Sequence, residues 1–181
     1  ARGDDAVVAL TASTVAVTHD GKAVLGGVFT NVNGFDFRYL GRLLPTGLPD
    51  TNFNQFAGLN AAVNTLAVQA DSKIVVGGGF SLPVSGIARL RANGSTDISF
   101  DPFVGVDGPV HSVAINTNGQ VILAGSFNTV RGESFPRVAR LNPDGLLDRG
   151  FLPVSIPDGV VYAVAVAPDG KILIGGDFTV V

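Results

Sequence analysis

Four segments of this 181-residue chain are variants of one another. They read DGKAVLGGVF (20–29), DSKIVVGGGF (71–80), NGQVILAGSF (118–127) and DGKILIGGDF (169–178). Each closes on a phenylalanine, and Phe29, Phe80, Phe127 and Phe178 lie 51, 47 and 51 residues apart. Self-similarity at this period marks a solenoid, propeller or array, in which a unit buries its apolar face by stacking on its neighbours. A second marker follows the first three copies: LGRLLPTGLPDTNF (40–53), IARLRANGSTDISF (87–100) and VARLNPDGLLDRGF (138–151). The link between the markers has ten residues in units one and three (30–39, 128–137) and six in unit two (81–86). Length variation confined to one link predicts a surface loop there.

The units divide the chain into a poorly matching segment 1–10, repeats over 11–60, 61–108 and 109–159, and a half repeat over 160–181, all of one domain type. Each unit reads as four short strands. Asp-Gly, Asn-Gly and Asp-Ser separate the first strand from the second, and Thr-Gly, Asn-Gly and Asp-Gly follow the third, as hairpin turns require. The first strand carries bulky residues on one face (Val15, Leu66, Val113, Val164) and slim ones on the other (Ala16, Ala67, Ala114, Ala165). A half-solvated strand would alternate apolar with charged residues. Two uncharged faces, one bulky and one slim, predict sheets stacked face to face. The second strands are continuous apolar runs and are read as buried on both faces. The glycines ending them (Gly26, Gly27, Gly77, Gly78, Gly125, Gly175, Gly176) leave room for close backbone approach. Ala124 in the first slot makes that slot a demand for small size.

These motifs resemble the kelch type of β-propeller, and more specifically the delta-60 repeat of large bacterial proteins. The resemblance covers the chain from about Thr11. The expected fold is therefore all-β, a β-propeller of kelch-like four-stranded blades with about three and a half repeats present. It implies an extracellular or cell-surface setting and no assigned reaction. A half unit with open edges implies a chain that is incomplete alone, joined to further repeats of a longer polypeptide or to copies of itself. The absence of Met points to a processed or cut N-terminus.

Composition narrows the function classes. A net charge of −3 without a Lys/Arg cluster gives no case for nucleic acid. The longest apolar run, 160–167, is too short for a membrane-spanning helix, and no membrane insertion is expected. Without Cys there is no disulfide or thiolate site, and with only Tyr39 and Tyr162 the copper centre of kelch-type oxidases is excluded. Neither a metal nor another cofactor is expected, and no residue is assigned a catalytic role. Asp20, Asp71, Asp144 and Asp169 read as turn residues rather than calcium ligands, and Asp4, Asp5 and Asp36 add no site. His19 and His111 occupy different repeat positions.

Arg42, Arg89 and Arg140 each precede an aspartate by eight residues: Asp50, Asp97 and Asp148. They form either a ring of charge for an anionic ligand or a structural pair copied with the blade; equal environments favour the second. One column varies where its neighbours do not: Ser13, Asn64, His111 and Tyr162, at the start of the innermost strand. It is the candidate ligand contact at the mouth of a central channel. The long links, with Phe35, Phe37 and Phe135, are a second candidate surface. Arg2-Gly3-Asp4 matches an integrin-recognition tripeptide, a match that arises readily by chance. The expected role is a non-enzymatic structural or adhesive module. The alternative is a glycan- or peptide-binding propeller, possible partners being a glycan or a surface protein; a hydrolase or lyase domain ranks last.

Overall fold

The computed structural model describes residues 11–32, 34–53, 58–100, 105–151, 153 and 155–180. They form strands and turns with no helix. Three antiparallel sheets repeat one order: β1 (Ala12–Val17), β2 (Ala23–Gly27) and β5 (Leu40–Leu43); then β6 (Val63–Val68), β7 (Ile74–Gly78) and β8 (Ile87–Leu90); then β9 (Val110–Ile115), β10 (Val121–Gly125) and β13 (Val138–Leu141). A fourth sheet pairs β14 (Val160–Val166) with β15 (Ile172–Asp177). The inner strands β1, β6, β9 and β14 pack side by side in chain order. This is a succession of propeller blades.

The hairpin register follows from the turns. Gly21, Ser72, Gly119 and Gly170 occupy one turn position with positive φ, and the serine there holds φ at 64°. The expected fourth strand is reduced to one bridge per blade: Leu43 with Pro49, Leu90 with Thr96, and Leu141 with Leu147. The following aspartate ends it. Oδ1 of Asp50, Asp97 and Asp148 accepts the backbone N–H two residues on, from Asn52, Ser99 and Gly150. Such a turn folds the chain away before a longer ladder can form.

Blades stack bulky face on slim face. Val24 and Ala16 of the first blade share a core with Leu66, Val68 and Val76 of the second. Val75 and Ala67 meet Val113, Val121 and Ile115 of the third. Ile122 and Ala124 meet Val164, Val166 and Ile174 of the fourth. Each fully buried aliphatic contributes about 1.5–3 kcal/mol. Polar ties add to this. An inner strand is the edge of its blade, so some of its N–H groups lack a ladder partner. Thr65 Oγ1 accepts from Val113 N and Ser112 Oγ from Val164 N, both at 3.1 Å, across successive junctions.

The long links are themselves hairpins: β3 (Asn31–Val32) with β4 (Phe35–Asp36), and β11 (Thr129–Val130) with β12 (Glu133–Ser134). Of the phenylalanines read as a contact surface, this leaves Phe35 on the outside. Phe37 is fully buried against Leu25, Phe29 and Val32, and Phe135 packs on the third blade's core. A two-residue strand pair cannot stand alone in water, so these hairpins fold their apolar side onto the blade.

Candidate functional site at the blade junctions and inner-strand ends

The recurring arginines and aspartates meet. Arg42 Nε donates to Asp50 Oδ2 at 3.0 Å, Arg89 Nε to Asp97 Oδ2 at 2.9 Å, and Arg140 Nε to Asp148 Oδ2 at 2.8 Å. The closing phenylalanine lies beneath each guanidinium: Phe53 at 4.4 Å, Phe100 at 4.6 Å and Phe151 at 4.8 Å from ring centroid to Cζ. Arg42 and Arg89 also cross to the next blade. Their Nη1 atoms donate to the carbonyls of Ala92 and Pro143, the latter at 2.6 Å. Arg140, on the third blade, makes no such bond among the described residues. Each of the three guanidinium groups is paired with a carboxylate and stacked on a ring, so the recurring charge is balanced within the blade.

Burial alone would raise the Asp97 carboxyl, but hydrogen bonds from Ser99 and the charge of Arg89 outweigh it and lower its pKa. Polar grooves lie over these units. One of about 590 Å³ is lined by His19, Asp20, Lys22 and Arg42, and one of about 350 Å³ by Gln69, Asp71, Lys73 and Arg89. They are two copies of one junction, with Lys22 and Lys73 each 3.7 Å from the buried aspartate.

The variable column is split by the fold. Ser13 is exposed on the first blade. Asn64 Nδ2 donates to Val110 O at 2.9 Å, which makes it a tie between blades. His111 and Tyr162 come together, with ring centroids 5.3 Å apart and planes tilted by 49°. His111 Nε2 lies 2.7 Å from Ser126 Oγ. Burial lowers the His111 pKa, so its imidazole is neutral near pH 7.

Two features escaped the sequence reading. Ser126 is one, because its column (Val28, Gly79, Ser126, Asp177) has no common chemistry. The other is a clamp just before β6, β9 and β14. Asn60 Oδ1 accepts from Ser81 and Leu82 N–H, Asp107 Oδ1 from Asn128 and Thr129, and Asp158 Oδ1 from Thr179 and Val180. The recurrent 21-residue separation of Asn60–Ser81, Asp107–Asn128 and Asp158–Thr179 was the available signal.

Among the described residues, no three His, Asp or Glu side chains gather as metal ligands. Oδ1 of Asp71, Asp144 and Asp169 accepts backbone N–H groups in its own turn. Asp20 is held at about 2 by the Thr18 hydroxyl and Lys22. Asp36 is exposed, 3.7 Å from Arg38 Nε. Arg2-Gly3-Asp4 and Asp5 lie outside the described residues.

These carboxyls set an acid limit. The pKa values of Asp20, Asp71, Asp97, Asp107, Asp148, Asp158 and Asp169 are all lowered in the fold. A lowered carboxyl stabilises the folded state fully above its unfolded pKa, and loses that effect as pH falls through the folded value. Urea midpoints are therefore expected to fall on acidification, slightly below about pH 6.5 where the unfolded chain's His111 takes up a proton, and steeply below about pH 5 as the carboxyls are protonated. A midpoint that rises on acidification would contradict this.

Comparisons with known proteins follow the fold. No curated protein sequence matches the chain. A protein of unknown function from Bacteroides caccae superposes at TM-score 0.51 and 16% identity, over 90% of this chain and 52% of its own. A chain of the mitotic checkpoint complex gives 0.56 and 19%, over 91% and 45%. The extracellular domain of BT4673 from B. thetaiotaomicron gives 0.56 and 14%, over 93% and 21%. The chain thus spans about half or less of the solved chains it resembles. A family model described as a β-propeller domain of unknown function, DUF5122, matches residues 19–53, 69–100, 117–151 and 167–181, each match starting at the first hairpin turn. The chain belongs to the DUF5122 β-propeller family.

Proposed function

We propose that this chain is a non-enzymatic structural or adhesive module of an extracellular bacterial protein, built from repeats of the delta-60 type. One observation carries the reading: the recurring polar columns are consumed inside the scaffold. Arg42 and Arg89 bind the next blade's carbonyls, Thr65 and Ser112 the next strand's N–H, and Asn64 the carbonyl of Val110. A stiff stack that displays turns and hairpins follows from these ties. The similarity to an extracellular bacterial domain supports the location.

A second reading rests on His111 and Tyr162. Their adjacent rings at the inner-strand ends, with Tyr162 exposed, offer a surface for stacking a sugar or peptide group. A serine hydrolase would use Ser126 with His111, and among the described residues no carboxylate bonds to that imidazole. The test combines a glycan and peptide array with a panel of ester and glycoside substrates. The scaffold reading expects no turnover and no binding that depends on His111 or Tyr162. Binding abolished by His111→Ala or Tyr162→Ala would establish the second reading in its place. Turnover abolished by Ser126→Ala would replace both.

A further inference from the structure

We propose that the groove between the second and third blades is a binding site for an uncharged saccharide, held through the side-chain amide of Gln69. The groove measures about 350 Å³, within the range of small-molecule sites. Both of its walls belong to this chain: Gln69, Asp71, Lys73 and Arg89 on the second blade, Thr117 and Pro143 on the third.

Gln69 is a residue that the scaffold does not consume. It stands just before the first hairpin turn, in one column with Thr18 and Asn116. Thr18 Oγ1 donates to Asp20 Oδ1 and accepts from Lys22 N. Asn116 Oδ1 accepts from Asn118 and Gln120 N–H, and its Nδ2 donates to Gln120 Oε1. Both side chains are used up by their own turns. In the second blade Asp71 Oδ1 takes the Lys73 N–H instead. Gln69 is 9% exposed, and its Oε1 is buried with no hydrogen-bond partner among the described residues. A buried acceptor left unpaired is costly, and a donor brought by a ligand relieves that cost. The last torsion of a glutamine is broad, so a small turn of the amide presents the oxygen to the groove.

The walls select the ligand's chemistry. Lys73 stands 2.9 Å from Asp71, and Arg89 2.9 Å from Asp97. These charges balance, so the groove favours neither an anion nor a cation. A hydroxyl both donates and accepts. It suits a surface where ammonium and carboxylate lie side by side, and it supplies the donor that Gln69 Oε1 lacks. The amide carries an acceptor and a donor on one carbon, which matches two neighbouring hydroxyls of a sugar ring. Ile115 and Pro143 offer apolar contact to the ring's C–H face. A single water is the competing occupant, but the groove has roughly ten times the volume that one water takes in the liquid. The site is separate from His111 and Tyr162, neither of which lines it.

The test titrates the chain with glucose, galactose, mannose and N-acetylglucosamine, followed by NMR of backbone and side-chain amides. One or more of these sugars is expected to shift the Gln69 side-chain amide saturably. The expected Kd is about 1–10 mM, since no aromatic ring lines the groove. Gln69→Thr gives the second blade the residue of the first, whose hydroxyl the turn uses, so the fold is kept. It is expected to weaken binding at least about tenfold. Gln69→Leu, which keeps the bulk and removes the amide, should do the same. His111→Ala should leave binding intact.

No saturable shift up to about 100 mM sugar overturns the proposal, and water then accounts for the oxygen of Gln69. Binding that persists in both Gln69 variants overturns it, as does binding lost in His111→Ala. The last outcome would also establish the second reading of function. The other failures leave the scaffold reading standing, since that rests on the consumed polar columns.

Discussion

Gly125→Ala is expected to destabilise the chain by about 3 kcal/mol, lowering Tm by roughly 6–12 °C, while Gly175→Ala leaves it unchanged or slightly more stable. The contrast comes from two neighbouring columns with different jobs. In the second slot of the pair, a Cβ on Gly27, Gly78, Gly125 or Gly176 would overlap a backbone carbonyl oxygen: Thr11, Ala62, Pro109 or Val160. That oxygen cannot swing away. Pro109 O is held by Ser126 N–H at 2.9 Å, beside the register shift at Ala124/Gly125. The added methyl must displace main chain, which is the costly form of overpacking.

In the first slot the obstacles are side chains: at Gly77, Val110 Cγ1 of the next blade at 2.7 Å and Thr65 Cγ2 of the same blade at 2.8 Å. Gly77→Ala should therefore cost about 1–2 kcal/mol, less than a clash with main chain, as both side chains give way. Ala124 already occupies that slot in the third blade, fully buried. At Gly175 no neighbour lies within 4 Å, and the reduced freedom of the unfolded chain favours alanine by about 0.4–1 kcal/mol. Urea unfolding of the three variants reads the series directly. Equal effects at 125 and 175 would mean that the carbonyl is not the constraint.

That distinction was half visible in the sequence. Ala124 announces that the first slot wants small size, but it says nothing of whether the obstacle is a valine or a carbonyl. Features set by period were legible. The alternation of Val15 and Ala16 with their copies yields the stacking of bulky face on slim face that the cores contain. Turn chemistry placed the hairpins at Gly21, Ser72, Gly119 and Gly170.

Features set by neighbouring blades were not legible. Phe35 and Phe37 look alike in the link, and only the fold of β3 against β4 decides that Phe37 is buried. The Arg42–Asp50 spacing suggests a pair, yet the bond to Ala92 crosses 50 residues and depends on how blades stack. The same holds for His111, Ser126 and Tyr162. Their meeting joins two blades through residues whose columns share no chemistry.

The second large effect is expected at Asp97. Asp97→Ala should cost about 3–5 kcal/mol, whereas Asp148→Ala should cost about 1 kcal/mol. The two carboxylates have the same partner in the repeat but different surroundings. The side chains of Arg89 and Asp97 are 6% and 2% exposed, and Arg89 is fixed at its far end by Pro143 O. Removing Asp97 strands a guanidinium that cannot turn to water without giving up that carbonyl and its stacking on Phe100. Lys73, 3.7 Å from the same carboxylate, keeps Asp71 at 2.9 Å, so the stranded charge is that of Arg89. Arg140 and Asp148 are 28% and 18% exposed, and among the described residues Arg140 bonds to no carbonyl of the next sheet. Its guanidinium can rehydrate when Asp148 is gone. A combined Arg89→Met, Asp97→Leu variant separates burial from pairing. If the penalty of Asp97→Ala is the stranded charge, the double variant recovers most of it. If the pair itself anchors the blade junction, the double variant remains as unstable as the single one, and the urea midpoints of the three proteins decide between the two.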